Sequence, residues 1–208
     1  MKTSSAFKSS TLRLLLATQN KGKLRELKAV LGGLGAEVAS LSEFDDLPDA
    51  IEDGATFEEN ARKKALHYWH LTRVPTIADD SGLVVDALGG RPGVLSARYA
   101  SDDRARIDRL LLELKHLDST EAHRLRTARF VCAICVILSE GSMIEVEGEV
   151  SGLIATEPRG DGGFGYDPVF FYPPADKTFA EMGASQKNAV SHRANALTKL
   201  RRRLRELA

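Results

Sequence analysis

LRLLLATQNKGKLRELKAVLGGL, residues 12–34, reads as three pieces in a row. Leu12–Ala17 is a short, almost unbroken apolar run, the pattern of a strand buried on both faces. Thr18-Gln19-Asn20-Lys21-Gly22-Lys23 is a polar loop. Leu24, Leu27, Leu31 and Leu34 then fall on one helical stripe, with Gly32-Gly33 near its end. A strand that runs through a loop into a helix leaves backbone N–H groups at the helix N-terminus, where the dipole favours an anion such as phosphate. Lys21 and Lys23 sit where an ammonium group reaches the same anion. The loop lacks the GxxxxGK[ST] pattern, so it is not a Walker A loop.

The rest of the chain alternates in the same way. Residues 40–55 are acidic and turn-rich. Thr56-Phe57-Glu58-Glu59 matches a capping box, and Phe57, Ala61, Ala65 and Tyr68 or Trp69 form the stripe of the helix it opens. Val74–Ala78 reads as a strand that ends in Asp79-Asp80-Ser81-Gly82, with a second apolar run over Leu83–Leu88. Gly89–Gly93 is a loop, and a helix starting at Ser101 turns Ile107, Leu110, Leu111, Leu114 and Leu117 inward. Arg129–Leu138 and Met143–Val150 flank Glu140-Gly141 as a hairpin. A glycine-rich loop over Gly160–Asp167 precedes an apolar run at Val169–Tyr172. One last helix is expected from Ser185, carrying Ala189, Ala196, Leu197, Leu200 and Leu204. The expected fold class is α/β with a mixed sheet.

Three clusters carry chemistry besides the first loop. Asp79 and Asp80 at a strand end, beside a glycine that lets a ligand approach, suit Mg²⁺, and one of them suits the role of general base toward water. Glu52-Asp53 offers a further ligand. Gly162-Gly163-Phe164-Gly165-Tyr166-Asp167 places aromatic faces where a purine can stack. Lys187 and Ser191 lie four apart on one helix face, and Lys187 and Arg193 can donate to a carbonyl on a base. Two other patterns are set aside. Cys132 and Cys135 lie in an apolar strand at a spacing that sends their side chains to opposite faces. His67 and His70 share a helix face with no third ligand beside them. Lys199 and Arg201–Arg203 belong to the polar face of the last helix.

Composition narrows the field. Of 208 residues, 29 are Lys or Arg and 29 are Asp or Glu, so no net charge drives the chain onto nucleic acid or an anionic membrane. No apolar run approaches the roughly 20 residues that cross a bilayer, and the N-terminus lacks a secretory signal pattern. Two cysteines make no disulfide framework, so a reducing cytoplasm is expected. With 43% hydrophobic residues the chain can fill one sizeable core, after a loose Ser-rich tail over residues 1–10.

The order of these elements is more telling than any one of them. LLLATQNKGKLREL, EDGATFEENARKKA, IADDSGLVVDALGGRPGVLSARYA, EPRGDGGFGYDPVFF, KTFAEM and SHRANAL follow one another over roughly residues 12–200. In this the chain resembles the inosine triphosphate pyrophosphatase family, enzymes that hydrolyse non-canonical purine nucleoside triphosphates. The resemblance implies an elongated central mixed sheet flanked by helices, with residues 11–208 as one two-lobed domain and the active site in the cleft between the lobes. It implies a triphosphate loop at Thr18, Gln19, Asn20, Lys21, Gly22 and Lys23. Asp80 becomes the base and a Mg²⁺ ligand, Glu52 the second ligand in a register that leaves Asp53 as the alternative, and Ser81 a substrate contact. Phe164, Gly165, Tyr166 and Asp167 form the nucleoside loop, and Lys187, His192 and Arg193 contact the base and its neighbours. Relatives often carry glycine where this chain has Gln19, a substitution that strains the backbone if φ is positive there. The implied activity is hydrolysis of ITP, dITP and XTP to monophosphate and pyrophosphate, by a homodimer. The alternatives are a Maf-like nucleotide pyrophosphatase and a nucleotide- or RNA-binding module without turnover.

Overall fold

The fold is described from a computed structural model, which covers residues 13–31, 37–117 and 125–206. The N-terminal tail and the expected helix end at Gly32–Leu34 lie outside the described residues. Seven strands form one open sheet in the order β2-β1-β3-β4-β5-β6-β7. β1 (Arg13–Leu16) pairs in parallel with β2 (Glu37–Ser40) and with β3 (Thr76–Val85). β4 (Thr127–Ser139), β5 (Ser142–Ile154), β6 (Phe170–Tyr172) and β7 (Lys177–Thr178) continue it antiparallel. The sheet is therefore mixed, as expected. β2 was hidden in the sequence because four residues, one of them buried, give no usable period.

Helices cover both faces. α2 (Phe57–Thr72) lies over one face and buries Phe57, Ala61, Ala65 and Tyr68 against Ala78, Val84, Val131 and Cys135. Its start follows the sequence, because the Thr56 hydroxyl accepts from the Glu59 N–H. The Glu59 carboxylate reaches back to the Ala55 N–H. α1 (Lys21–Leu31) and α5 (His192–Glu206) cover the other face, where Leu14, Leu16, Ile77, Cys132, Ile134 and Leu197 pack together. Cys132 and Cys135 thus face opposite sides, as their spacing predicted. α3 (Asp103–Glu113), capped by Asp102 rather than Ser101, packs Ile107 and Leu110 on a third cluster with Phe130, Phe170 and Phe179. No helix among the described residues is long and apolar enough to cross a membrane.

Two expectations change. Asp79-Asp80-Ser81-Gly82 does not end a strand. It lies in the middle of β3, in unbroken antiparallel register with β4 from Thr76↔Ile137 to Val85↔Ala128. The apolar runs on either side are one strand interrupted by charge, a pattern that reads as two strands when burial is judged from hydrophobicity alone. The C-terminal helix is also two helices. α4 (Ala184–Val190) stops at Ser191, whose backbone is extended, and α5 starts anew. The Ser191 hydroxyl accepts from the Ala194 N–H, so serine turns the chain by capping the second helix. Lys187 and Ser191 therefore share no continuous helix face.

Candidate active site

Strand alternation sends Asp79 and Asp80 to opposite faces of the sheet. Asp80 points toward α2 and lines a cavity of about 410 Å³ with Thr18, Gln19, Asn20, Lys23, Glu52 and Lys64. Asp79, itself buried, points toward α1 and α5, where it pairs with Lys23 and with buried Arg193. A second cavity of about 330 Å³ is lined by Lys21, Gly22, Phe164, Gly165, Tyr166, Asp167, Lys187, His192 and Arg193. Asn20, Lys23, Ser81 and Ala97 line both. The structure thus gathers the phosphate loop, Glu52, Asp80, Ser81, the nucleoside loop, Lys187, His192 and Arg193 into two adjoining compartments, and leaves Asp79 and Asp53 outside both.

In the first compartment the β1–α1 loop is organised by its own side chains. Thr18 Oγ1 accepts from the Asn20 N–H, and Asn20 Oδ1 accepts from the N–H groups of Gly22 and Lys23 at 2.9 and 3.0 Å. Asn20 therefore occupies two of the helix N–H groups that the sequence left open for an anion. The charge here is the Lys23 ammonium, paired with Asp79 Oδ2 at 3.1 Å. Gln19 has no positive φ, since among the described non-glycine residues only Asp46, Arg73 and Asp176 do, and its amide donates to Asp49. The glycine usual in relatives is not needed for this backbone.

Asp80 is buried, which pushes its carboxyl above the ordinary aspartate value, and Lys23 and Lys64 offset this only in part. Its oxygens accept from the Ser81 N–H and from the Asn60 amide. Glu52 opens onto the same cavity and pairs with Lys64 at 2.9 Å. Asp53 points away, exposed and paired with Lys63 at 2.6 Å. Of the two, only Glu52 shares a cavity with Asp80. Two carboxylates brought together from separate segments are hard oxygen donors. They suit Mg²⁺, which takes one or two protein carboxylates and fills its other positions with water and phosphate oxygens.

The second compartment is built on paired charge. Arg193, buried, donates to Glu26 and to Ser81 Oγ at 3.0 Å, and its Nε lies 3.5 Å from Asp79. Lys187 donates to Asp167 at 2.6 Å and to Glu26 at 2.9 Å. Burial works against the charge on Asp79, but Lys23, Arg193 and Lys64 outweigh it and hold the carboxyl below its usual range. Burial, with Arg193 and Lys187 beside it, keeps His192 well below the usual imidazole value and so neutral, stacked on Phe130 at 4.8 Å. The loop aromatics take separate roles. Tyr166 is in the core and donates to the Ser96 carbonyl at 3.0 Å. Phe164 lies over the Lys187 ammonium at 4.7 Å and against Gly22, where a Cβ would stand 2.7 Å from its ring. Asp167 closes the turn by accepting from the Phe164 N–H.

Five residues of this arrangement escaped the sequence reading: Glu26, Asn60, Lys64, Asp79 as an ion-pair centre, and Arg98, which donates to the Glu52 carbonyl. Asn60 and Lys64 did leave a signal. They fall on the buried stripe of α2 between Phe57, Ala61 and Tyr68, and a polar residue buried on an apolar stripe needs a partner.

Known proteins carry the same pattern. The sequence profile described as the Ham1 family matches residues 14–203. A Geobacillus kaustophilus protein named dITP/XTP pyrophosphatase is 51% identical over 187 residues, covering 90% of this chain and 91% of that one. One of the same name from Bacillus subtilis is 49% identical over 189 residues, 89% of this chain and 93% of its own. The solved structure of a HAM1 protein from Coxiella burnetii superposes with a TM-score of 0.84 at 41% identity, over 94% of this chain and all of that one. With the fold, the motif order and nearly the full length in agreement, the chain belongs to the Ham1 family.

Proposed function

We propose that this chain hydrolyses the non-canonical purine nucleoside triphosphates dITP, ITP and XTP to the monophosphate and pyrophosphate. The observation that carries the reading is the joined pair of cavities: one holds Asp80, Glu52 and lysines, the other Phe164 and paired cations, and Lys23 and Ser81 stand between them. The triphosphate fits the first and the base the second. The names of the relatives support dITP and XTP among these substrates.

Asp80 and Glu52 would hold Mg²⁺, which supplies positive charge against the phosphate oxygens when bound. Lys23 adds charge at the junction, over the phosphate nearest the nucleoside. Asp80 orients a water toward the α-phosphorus. A bond forms from the water oxygen to phosphorus, the bond to the bridging oxygen breaks, and pyrophosphate leaves with the electron pair. The water proton passes to the Asp80 carboxylate. Arg193 and Lys187 reward a carbonyl at the purine 6-position. A 6-amino group would set donor against buried donor, a mismatch that discriminates by roughly 10⁴-fold in sites built this way. Glu26, Asp79 and Asp167 fix the direction of these donors. The resemblance further supports a homodimer, which sedimentation of the purified chain would show.

Asp80→Asn tests the mechanism. It keeps the side-chain shape and removes the proton acceptor, so turnover of dITP should fall by about 10²–10⁴-fold while the nucleotide still binds. Turnover within a few-fold of wild type would remove Asp80 from the role of base.

A further inference from the structure

Asn60 belongs to no motif of the phosphate loop, the nucleoside loop or the carboxylate pair, yet it is fully buried beside them. Its two amide atoms face two different segments. Oδ1 accepts from the Gly54 N–H at 2.7 Å, and Nδ2 donates to Asp80 Oδ2 at 3.1 Å. One turn further along α2, Lys64 does the same thing with one atom, reaching Glu52 at 2.9 Å and the Asp79 carbonyl at 3.1 Å. The helix thus holds the segment carrying Glu52 to the strand carrying Asp80 by two links stacked at i and i+4. The fit at the first link is tight from both sides. A Cβ on Gly54 would lie 2.8 Å from Asn60 Oδ1 and 2.8 Å from Glu59 Cβ, so the loop can lie this close only with glycine there.

We infer that Asn60 is a positioning residue for the divalent-cation site: its amide fixes the spacing of Glu52 and Asp80 and the edge that Asp80 turns to the cation. The inference rests on the reading of Glu52 and Asp80 as the cation's ligands. The physical reason is that a carboxylate not held by a partner must lose side-chain freedom when it binds, and the energy of binding is reduced by that loss. Outer partners of metal ligands typically change affinity by 10–100-fold when removed. Only asparagine or a close relative supplies an acceptor and a donor from one planar group at this reach.

The test titrates the substrate-free chain with Mn²⁺, followed by the EPR signal of the free ion, and needs no turnover. Asn60→Ala should raise the Mn²⁺ dissociation constant by about tenfold. Gly54→Ala breaks the same link from the other side with Asn60 intact, and should raise it similarly. Because both act on one link, the double variant should be no weaker than the weaker single variant. At saturating metal, the KM for dITP should stay within about twofold while kcat falls, since the nucleoside contacts are untouched. If Asn60→Ala does not fold, Gly54→Ala carries the measurement. Wild-type Mn²⁺ affinity in folded variants, or additive losses in the double variant, would overturn the role of Asn60. Wild-type protein that neither binds Mn²⁺ nor turns over dITP would instead overturn the functional reading beneath it.

Discussion

At the scale of single residues, the site is organised around one aspartate that lines neither cavity. Asp79 Oδ2 lies 3.1 Å from the Lys23 ammonium, 3.5 Å from Arg193 Nε and 3.2 Å from Ser81 Oγ. Lys23 lines both cavities and Arg193 the one with the aromatic ring, so Asp79 is the charge that lets the two cations stand side by side. Removing one member of a buried ion cluster leaves the others uncompensated, at a cost of about 3–5 kcal/mol. Asp79→Asn should therefore lower thermal stability by that order, unlike Asp80→Asn, whose partners are an amide and a backbone N–H. A melting temperature unchanged by Asp79→Asn would contradict the cluster. The sequence could rank neither aspartate by environment. It showed two adjacent carboxylates, and only the strand that contains them shows that they face different sides.

At the scale of elements, the placement of α5 is set by a missing side chain. Gly148 of β5 lies under the first turn of α5, where a Cβ would collide with the His192 carbonyl and the Ala196 N–H. Those are backbone atoms that cannot rotate away. Gly148→Ala should push α5 off the sheet and carry His192 and Arg193 with it, costing about 1–3 kcal/mol by overpacking. It should also lower kcat/KM for dITP, although residue 148 lines neither cavity. Thermal denaturation and steady-state kinetics of one variant check both, and wild-type values in both would contradict this account of the packing. Elements with a strong period, such as α2, α3 and the β4–β5 hairpin, were legible from the sequence because burial follows hydrophobicity there. β2 and the break at Ser191 were not. One is too short for a period, and the other depends on a serine whose capping bond is seen only once the chain has turned. β3 misled for the opposite reason: its central charges are buried by partners from α1, α2 and α5, which lie far away in sequence.

At the scale of the whole molecule, the mixed sheet brings five separate stretches of chain to one place. The β1–α1 loop, the segment before α2, the middle of β3, the turn at Phe164–Asp167 and the α4–α5 junction all meet at the two cavities. The residues with side chains in the cavities were legible as an ordered set of motifs. Glu26, which holds Arg193 and Lys187, was not, because an ion pair across more than a hundred residues leaves no local pattern. The central claim is that this junction cuts a triphosphate between its α and β phosphates and selects the base by its 6-substituent. The most direct measurement offers dITP, XTP, GTP, ATP and a pyrimidine triphosphate to the purified chain, with Mg²⁺ and with chelator, and identifies the products. The account predicts metal-dependent monophosphate and pyrophosphate from dITP and XTP, with ATP turned over about 10⁴-fold less efficiently. Release of single phosphates, preference for the pyrimidine, or equal turnover of ATP would contradict it.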